Sequence, residues 1–204
     1  MRVYQALVIF AIAAAPVVAM ADDINLSSGT ATYTVTGPAS GTAAPSSTNP
    51  LWTANIPGAV WINLTGSGTG ISPNGAYVYT TMFTLTSDSN LSGSFASDNI
   101  ASAFLTGGSI VGSDSLGSDG PDSFTEATAF SAFGLGPGVY TLSFDLENGT
   151  GLNTGPDNNS DSGPSGLLVG ANTVTATPEP SSLALLGTGL LGAVGIARRR
   201  LFSR

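Results

Sequence analysis

The chain has 204 residues and a net charge of −8, and its five basic side chains sit at its two ends: Arg2 at the front, Arg198, Arg199, Arg200 and Arg204 at the back. Between them lie 13 carboxylates and neither Lys, His nor Cys. That excludes nucleic acid, whose phosphates nothing here neutralises, and it excludes a disulfide framework, zinc sites, thiol nucleophiles, Schiff-base amines and histidine general bases.

In chain order, Arg2 is a positive n-region and Ala6 to Val18 an apolar h-region. Ala19-Met20-Ala21 before Asp22 has the A-x-A form of a signal-peptidase site. Residues 1–21 are therefore expected to be a signal peptide, with Asp22 starting the mature protein.

Residues 22–176 are expected to form one domain with its own core. Tyr77, Tyr79, Phe83 and Leu85 occupy alternate positions of one run, and Tyr140, Leu142, Phe144 and Leu146 of another. A period of two is that of half-buried strands. Shorter candidates are Thr30–Thr36, Ala59–Leu64, Leu91–Phe95, Ala101–Leu105, Ala127–Phe133 and Leu167–Val174, punctuated by Gly, Asn, Asp, Ser and Pro. About eight such strands, with no long amphipathic helix, predict an all-β fold, a jelly-roll-type β-sandwich rather than a membrane barrel.

Carboxylates carry what chemistry remains. Asp145 and Glu147 share the outward side of one strand about 7 Å apart, a spacing open to glycoside hydrolysis but equally that of a solvated face. Asp114, Asp119 and Asp122, and the run from Asp157 to Asp161, are oxygen-rich loops suited to Ca²⁺, and also ordinary turn formers. Trp61, in an apolar strand, is expected in the core; Trp52, between Pro50 and Pro57, is expected as an exposed platform for a sugar ring. Sequons begin at Asn25, Asn63, Asn90, Asn148 and Asn158, close to what so Asn- and Thr-rich a chain gives by chance.

At the C-terminus, Pro178-Glu179-Pro180 precedes the apolar run Ser181 to Ala197, which Arg198, Arg199 and Arg200 close. Seventeen uncharged residues are at the short end of what spans a hydrocarbon core of about 30 Å, with little tilt, and arginines at that end stay cytoplasmic. The two prolines keep the preceding segment extended. Residues 177–204 resemble the PEP-CTERM sorting signal of Gram-negative bacteria. The resemblance implies that an exosortase, a membrane-embedded cysteine protease, recognises Pro178, Glu179 and Pro180, that the arginines hold the tail, and that the protein passes from the inner membrane to the envelope or extracellular matrix. A permanent anchor is the other reading of the same segment.

Within the body, Tyr79 to Leu85, Leu91-Ser92-Gly93, Asp98-Asn99, Leu105-Thr106-Gly107-Gly108, Gly138 to Asn148 and Ser165-Gly166-Leu167 are similar to the galactose-binding-like jelly rolls carried by many PEP-CTERM proteins. That resemblance implies a sandwich and points towards carbohydrate. The expected protein is an exported, non-enzymatic surface or matrix protein without a required cofactor, its partners being signal peptidase, exosortase, the membrane before processing and extracellular polysaccharide. The alternative is a secreted glycoside hydrolase or lyase.

Overall fold

The computed structural model describes residues 23–47, 49–120, 123–149 and 163–175, together with Gly189 and Gly192. Residues 21–176 cluster as a compact unit separate from 1–20 and 177–204. The expected signal peptide and apolar helix lie outside the described residues except for Gly189 and Gly192, both helical. Among the described residues no helix is long and apolar enough to cross a membrane.

Among the described residues eleven strands form two antiparallel sheets. The first, six-stranded, contains β1 (Thr34–Thr36), β2 (Gly41–Thr42), β5 (Gly75–Leu85), β7 (Ile100–Gly107), β8 (Ser113–Ser118) and β10 (Gly138–Asn148), in the order β2-β1-β5-β10-β7-β8. The second contains β3 (Ala44–Pro45), β4 (Ile62–Asn63), β6 (Ser89–Asp98), β9 (Thr128–Leu135) and β11 (Gly166–Thr175), in the order β3-β4-β11-β6-β9. From β5 onward every connection except β7–β8 changes sheet. The all-β, two-sheet expectation holds, and frequent exchange between sheets is what a jelly roll does.

The two alternating runs are the centre of the first sheet. β5 and β10 pair along their whole length, Gly138 opposite Leu85 and Asn148 opposite Gly75. Tyr77, Tyr79, Phe83 and Leu85 turn inward with Tyr140, Leu142, Phe144 and Leu146, each at most 5% exposed. Phe144 is the joint between the layers: its ring lies 5.2 Å from Phe95 of β6, 6.0 Å from Phe130 of β9 and 6.3 Å from Tyr33. Tilted and edge-on contacts at such distances add to the area these rings bury.

Residues 23–175 contain no cation, so buried polar groups there are met by hydrogen bonds without ion pairs. Tyr33 Oη donates to the Leu26 carbonyl at 2.7 Å. Asn63 Nδ2 donates to the carbonyls of Ser67 and Ser165, and Asn148 Nδ2 to those of Ser72 and Pro73. Two of the sequon asparagines are thus buried and engaged, at 0% and 1% exposure.

The outer face of the second sheet is covered by the segment 49–61. Trp52, Ala54 and Ile56 are buried while Leu51, Thr53 and Asn55 are exposed, an alternation that lays one edge of the segment against Ala96 and Leu168. Glycines make room for it: a Cβ on Gly166 would sit 2.6 Å from Trp52 Cη2, and one on Gly170 would strike Ile56 Cγ2. The outer face of the first sheet carries no such layer among the described residues, and there Met82 and Val139 are 68% and 52% exposed.

Replacing Phe144 by Ala removes the joint and is expected to cost about 3–5 kcal/mol of folding stability, whereas Phe133→Ala, at an exposed site, should change it by less than about 0.5 kcal/mol. Urea unfolding midpoints measure both; similar values for the two variants would contradict this account of the core.

Candidate functional site

Two pairs of carboxylates stand in contrasting surroundings. The first, Asp98 and Asp119, is buried where β6 ends, with Asp98 against Trp52 of the segment 49–61. Trp52, expected as an exposed platform, is only 6% exposed. Its indole stacks on Trp61 at 4.6 Å, and its Nε1 donates to Asp98 Oδ2 at 2.7 Å. Its flanking prolines mark a loop, but this loop packs on a sheet. Trp61, expected in the core, is half-buried against the smaller cluster outside the second sheet, and its Nε1 has no hydrogen-bond partner among the described residues.

Asp98 closes β6 with 8% exposure. Burial raises its carboxyl from the ordinary 3.8 to about 6, and the Trp52 hydrogen bond offsets part of that rise. Asp119, a sequence-predicted calcium ligand, is 6% exposed and turned to structural use. Its Oδ1 accepts from the Ala101 N–H at 2.5 Å and its Oδ2 from Ser97 Oγ at 2.7 Å. Ser123 Oγ ties the same corner to the carbonyls of Ser97 and Asn99. Burial raises the Asp119 carboxyl too, against the pull of these hydrogen bonds.

Asp114, another expected ligand, is exposed and stands on β8 opposite Leu105. The residues expected as an oxygen-rich loop, Ser113 to Ser118, form an edge strand with a register shift between Ala103 and Phe104 of its partner. Pairing with β7 imposes the strand on a Ser, Asp and Gly sequence. Asp122, Asp157 and Asp161 lie outside the described residues. No group of three His, Cys, Asp or Glu that could hold a metal forms among the described residues.

The second pair is on the open face of the first sheet. Asp145 is exposed and Glu147 half-buried, behind the buried Phe144 and Leu146, as the alternation requires. Asp145 stands between Val78 of β5 and Ser102 of β7, and Glu147 between Ala76 and Ile100. Partial burial raises the Asp145 carboxyl, and no cation lies on any of the strands beside it. Next to them a row crosses four strands as Thr34, Thr80, Ser143 and Phe104. Met82, Thr141 and Thr106 form the row beyond. Hydroxyls both donate and accept, and Phe104 and Met82 supply apolar surface between them. This face can hold a polar, extended ligand by many weak contacts. The outward positions of the two alternating runs could have located it; the buried Asp98–Trp52 pair, 46 residues apart in sequence, had no local signal.

Fold and sequence together define a two-sheet β-sandwich followed by a C-terminal sorting segment. Residues 176–200 match the PEP-CTERM protein-sorting motif. The chain carries that motif, which marks it for export and for sorting to the cell envelope or beyond in Gram-negative bacteria. Among solved structures, the chain is similar to the CBM36-1 domain of a multidomain xylanase from the hindgut metagenome of Trinervitermes trinervoides. Identity is 12%, 76% of this chain and 98% of that one are covered, and the TM-score is 0.33, a likeness too distant to argue from. No curated protein matches the chain.

Because the folded state holds the Asp98 proton more tightly than the unfolded chain does, its ionisation lowers stability as pH rises from about 3.8 to about 6, and no further above that. Asp98→Asn keeps an acceptor for Trp52 Nε1 and removes the ionisation. The variant should be more stable than the parent at neutral pH and show a flatter stability profile across that window. Urea midpoints on both sides of it provide the measurement, and an unchanged slope would contradict the assignment.

Proposed function

We propose that this is an exported, non-catalytic protein of the cell surface or extracellular matrix. In this reading residues 1–21 direct secretion and signal peptidase cuts after Ala21. The 181–197 helix and Arg198, Arg199 and Arg200 then hold the chain at the inner membrane, and an exosortase acts at Pro178-Glu179-Pro180 to release residues 22–176. The observation that carries the reading is the sorting motif at residues 176–200.

The domain itself supports a structural or carbohydrate-binding role in a hydrated polysaccharide matrix. Only 9% of its parent chain is charged, and the open sheet face presents Thr and Ser hydroxyls in rows across the strands. Binding a long polymer needs many weak, satisfied polar contacts rather than one deep site. Calcium on exposed carboxylates, Asp114 among them, is the alternative by which such a surface would engage an acidic polymer.

A second reading, a glycoside hydrolase, is favoured by the Asp145–Glu147 pair. Both carboxylates lie on one strand of one sheet face, however, and hydrolysis needs the two groups to flank the scissile bond. If Asp145→Asn and Glu147→Gln abolished a measurable hydrolysis, the catalytic reading would replace the binding one.

Replacing Pro178, Glu179 and Pro180 by Ala in the native host should shift the protein from the matrix to the membrane fraction and leave Arg204 attached. Release of the variant at the parent rate would contradict processing at that site.

A further inference from the structure

Resting on that reading, the charge of the open sheet face narrows the class of polymer it takes. Of the 13 carboxylates one, Glu179, belongs to the sorting segment, leaving 12 in residues 22–176 with no Lys, Arg or His to set against them. An anionic polymer meets repulsion over such a domain, and a neutral one gains nothing from its charge. Two of the 12, Asp145 and Glu147, point outward from one strand of the uncovered face. Their neighbours across the sheet are Val78, Ser102, Ala76 and Ile100, so the fold supplies them no counter-charge.

We infer that the outer face of the six-stranded sheet binds a polysaccharide bearing free amino groups, a hexosamine polymer with unacetylated residues. Its ammonium groups pair with Asp145 and Glu147, for which residues 22–176 hold no cation. Its hydroxyls exchange hydrogen bonds with Thr80 and Ser143, and its apolar ring faces rest on Phe104 and Met82. An exposed ion pair is worth about 0.2–1 kcal/mol, but a repeating polymer engages several at once and on neighbouring molecules, which multiplies their effect. Like all exposed pairing it weakens with added salt. A basic protein would satisfy the charge alone and leave the hydroxyl rows without matching polyol partners.

The test is affinity electrophoresis of the protein through gels containing a β-linked glucosamine polymer, its fully N-acetylated counterpart, polylysine, or a polyuronate with and without CaCl₂, at mildly acidic pH. Retardation by the glucosamine polymer is expected. It should fall roughly tenfold on N-acetylation and by a similar factor in the Asp145→Asn/Glu147→Gln variant. Asp88→Asn, an acid removed from the turn between β5 and β6, should behave as the parent. Both substitutions of the double variant lie on the outer face, and an unchanged urea midpoint checks that it folds. Equal binding of the acetylated polymer, equal binding by the double variant, equal or stronger retardation by polylysine, or binding of polyuronate only with Ca²⁺ would each overturn the inference. A protein correctly released into the matrix that binds no amine polymer defeats this inference alone, and one that binds it but stays in the membrane defeats the sorting reading alone.

Discussion

Phe144 meets Phe95, Phe130 and Tyr33 in the middle of the sandwich, and through these rings the two sheets become one body. No other kind of tie is open to this domain. Without Cys there is no cross-link, and without Lys, Arg or His there is no ion pair among residues 23–175. Stability therefore rests on apolar burial and on hydrogen bonds, those of the strand ladders joined by side-chain bonds to backbone carbonyls such as those of Tyr33, Asn63 and Asn148. A domain held this way tolerates an acidic, cation-free surface because its core never depended on charge.

The two outer faces follow from how that core is closed. On the second sheet the segment 49–61 forms a further layer, with Gly166 and Gly170 allowing Trp52 and Ile56 to approach the strands. Asp98 and Asp119 are consumed in fixing that side of the molecule, the first holding Trp52 and the second clamping the corner between β6 and β7. Burial raises both carboxyls, against the pull of the hydrogen bonds they accept. On the first sheet nothing comparable lies over β5 and β10 among the described residues, and Asp145 is exposed there with Glu147 half-buried beside it. The same residue type thus builds one face and equips the other.

Legibility followed the range of each signal. β5 and β10 were readable because Tyr77, Tyr79, Phe83 and Leu85 and then Tyr140, Leu142, Phe144 and Leu146 alternate along them, and the outward position of Asp145 and Glu147 came with them. β8 was not, since Ser-Asp-Ser-Leu-Gly-Ser carries one apolar residue and owes its extension to β7. The run Ala59–Leu64 contributes only Ile62 and Asn63 as strand because the residues before them serve the covering segment. Trp52 looked exposed by its prolines and Asp119 looked like a ligand by its serines; in both cases burial is decided by residues far away in sequence. The sorting segment is the opposite case. Its information is linear, a Pro-Glu-Pro, an apolar run and an arginine cluster, so it is legible from residues 176–200 alone.

In the proposed reading one chain is both delivered and released by its tail while the sandwich works outside. Intact mass spectrometry of the protein from membrane and matrix fractions of its native host reads both termini in a single measurement. The account predicts a matrix form that begins at Asp22 and ends near Pro178 to Pro180. A single form still carrying Arg204, found only in the membrane, would contradict release and make the tail a permanent anchor.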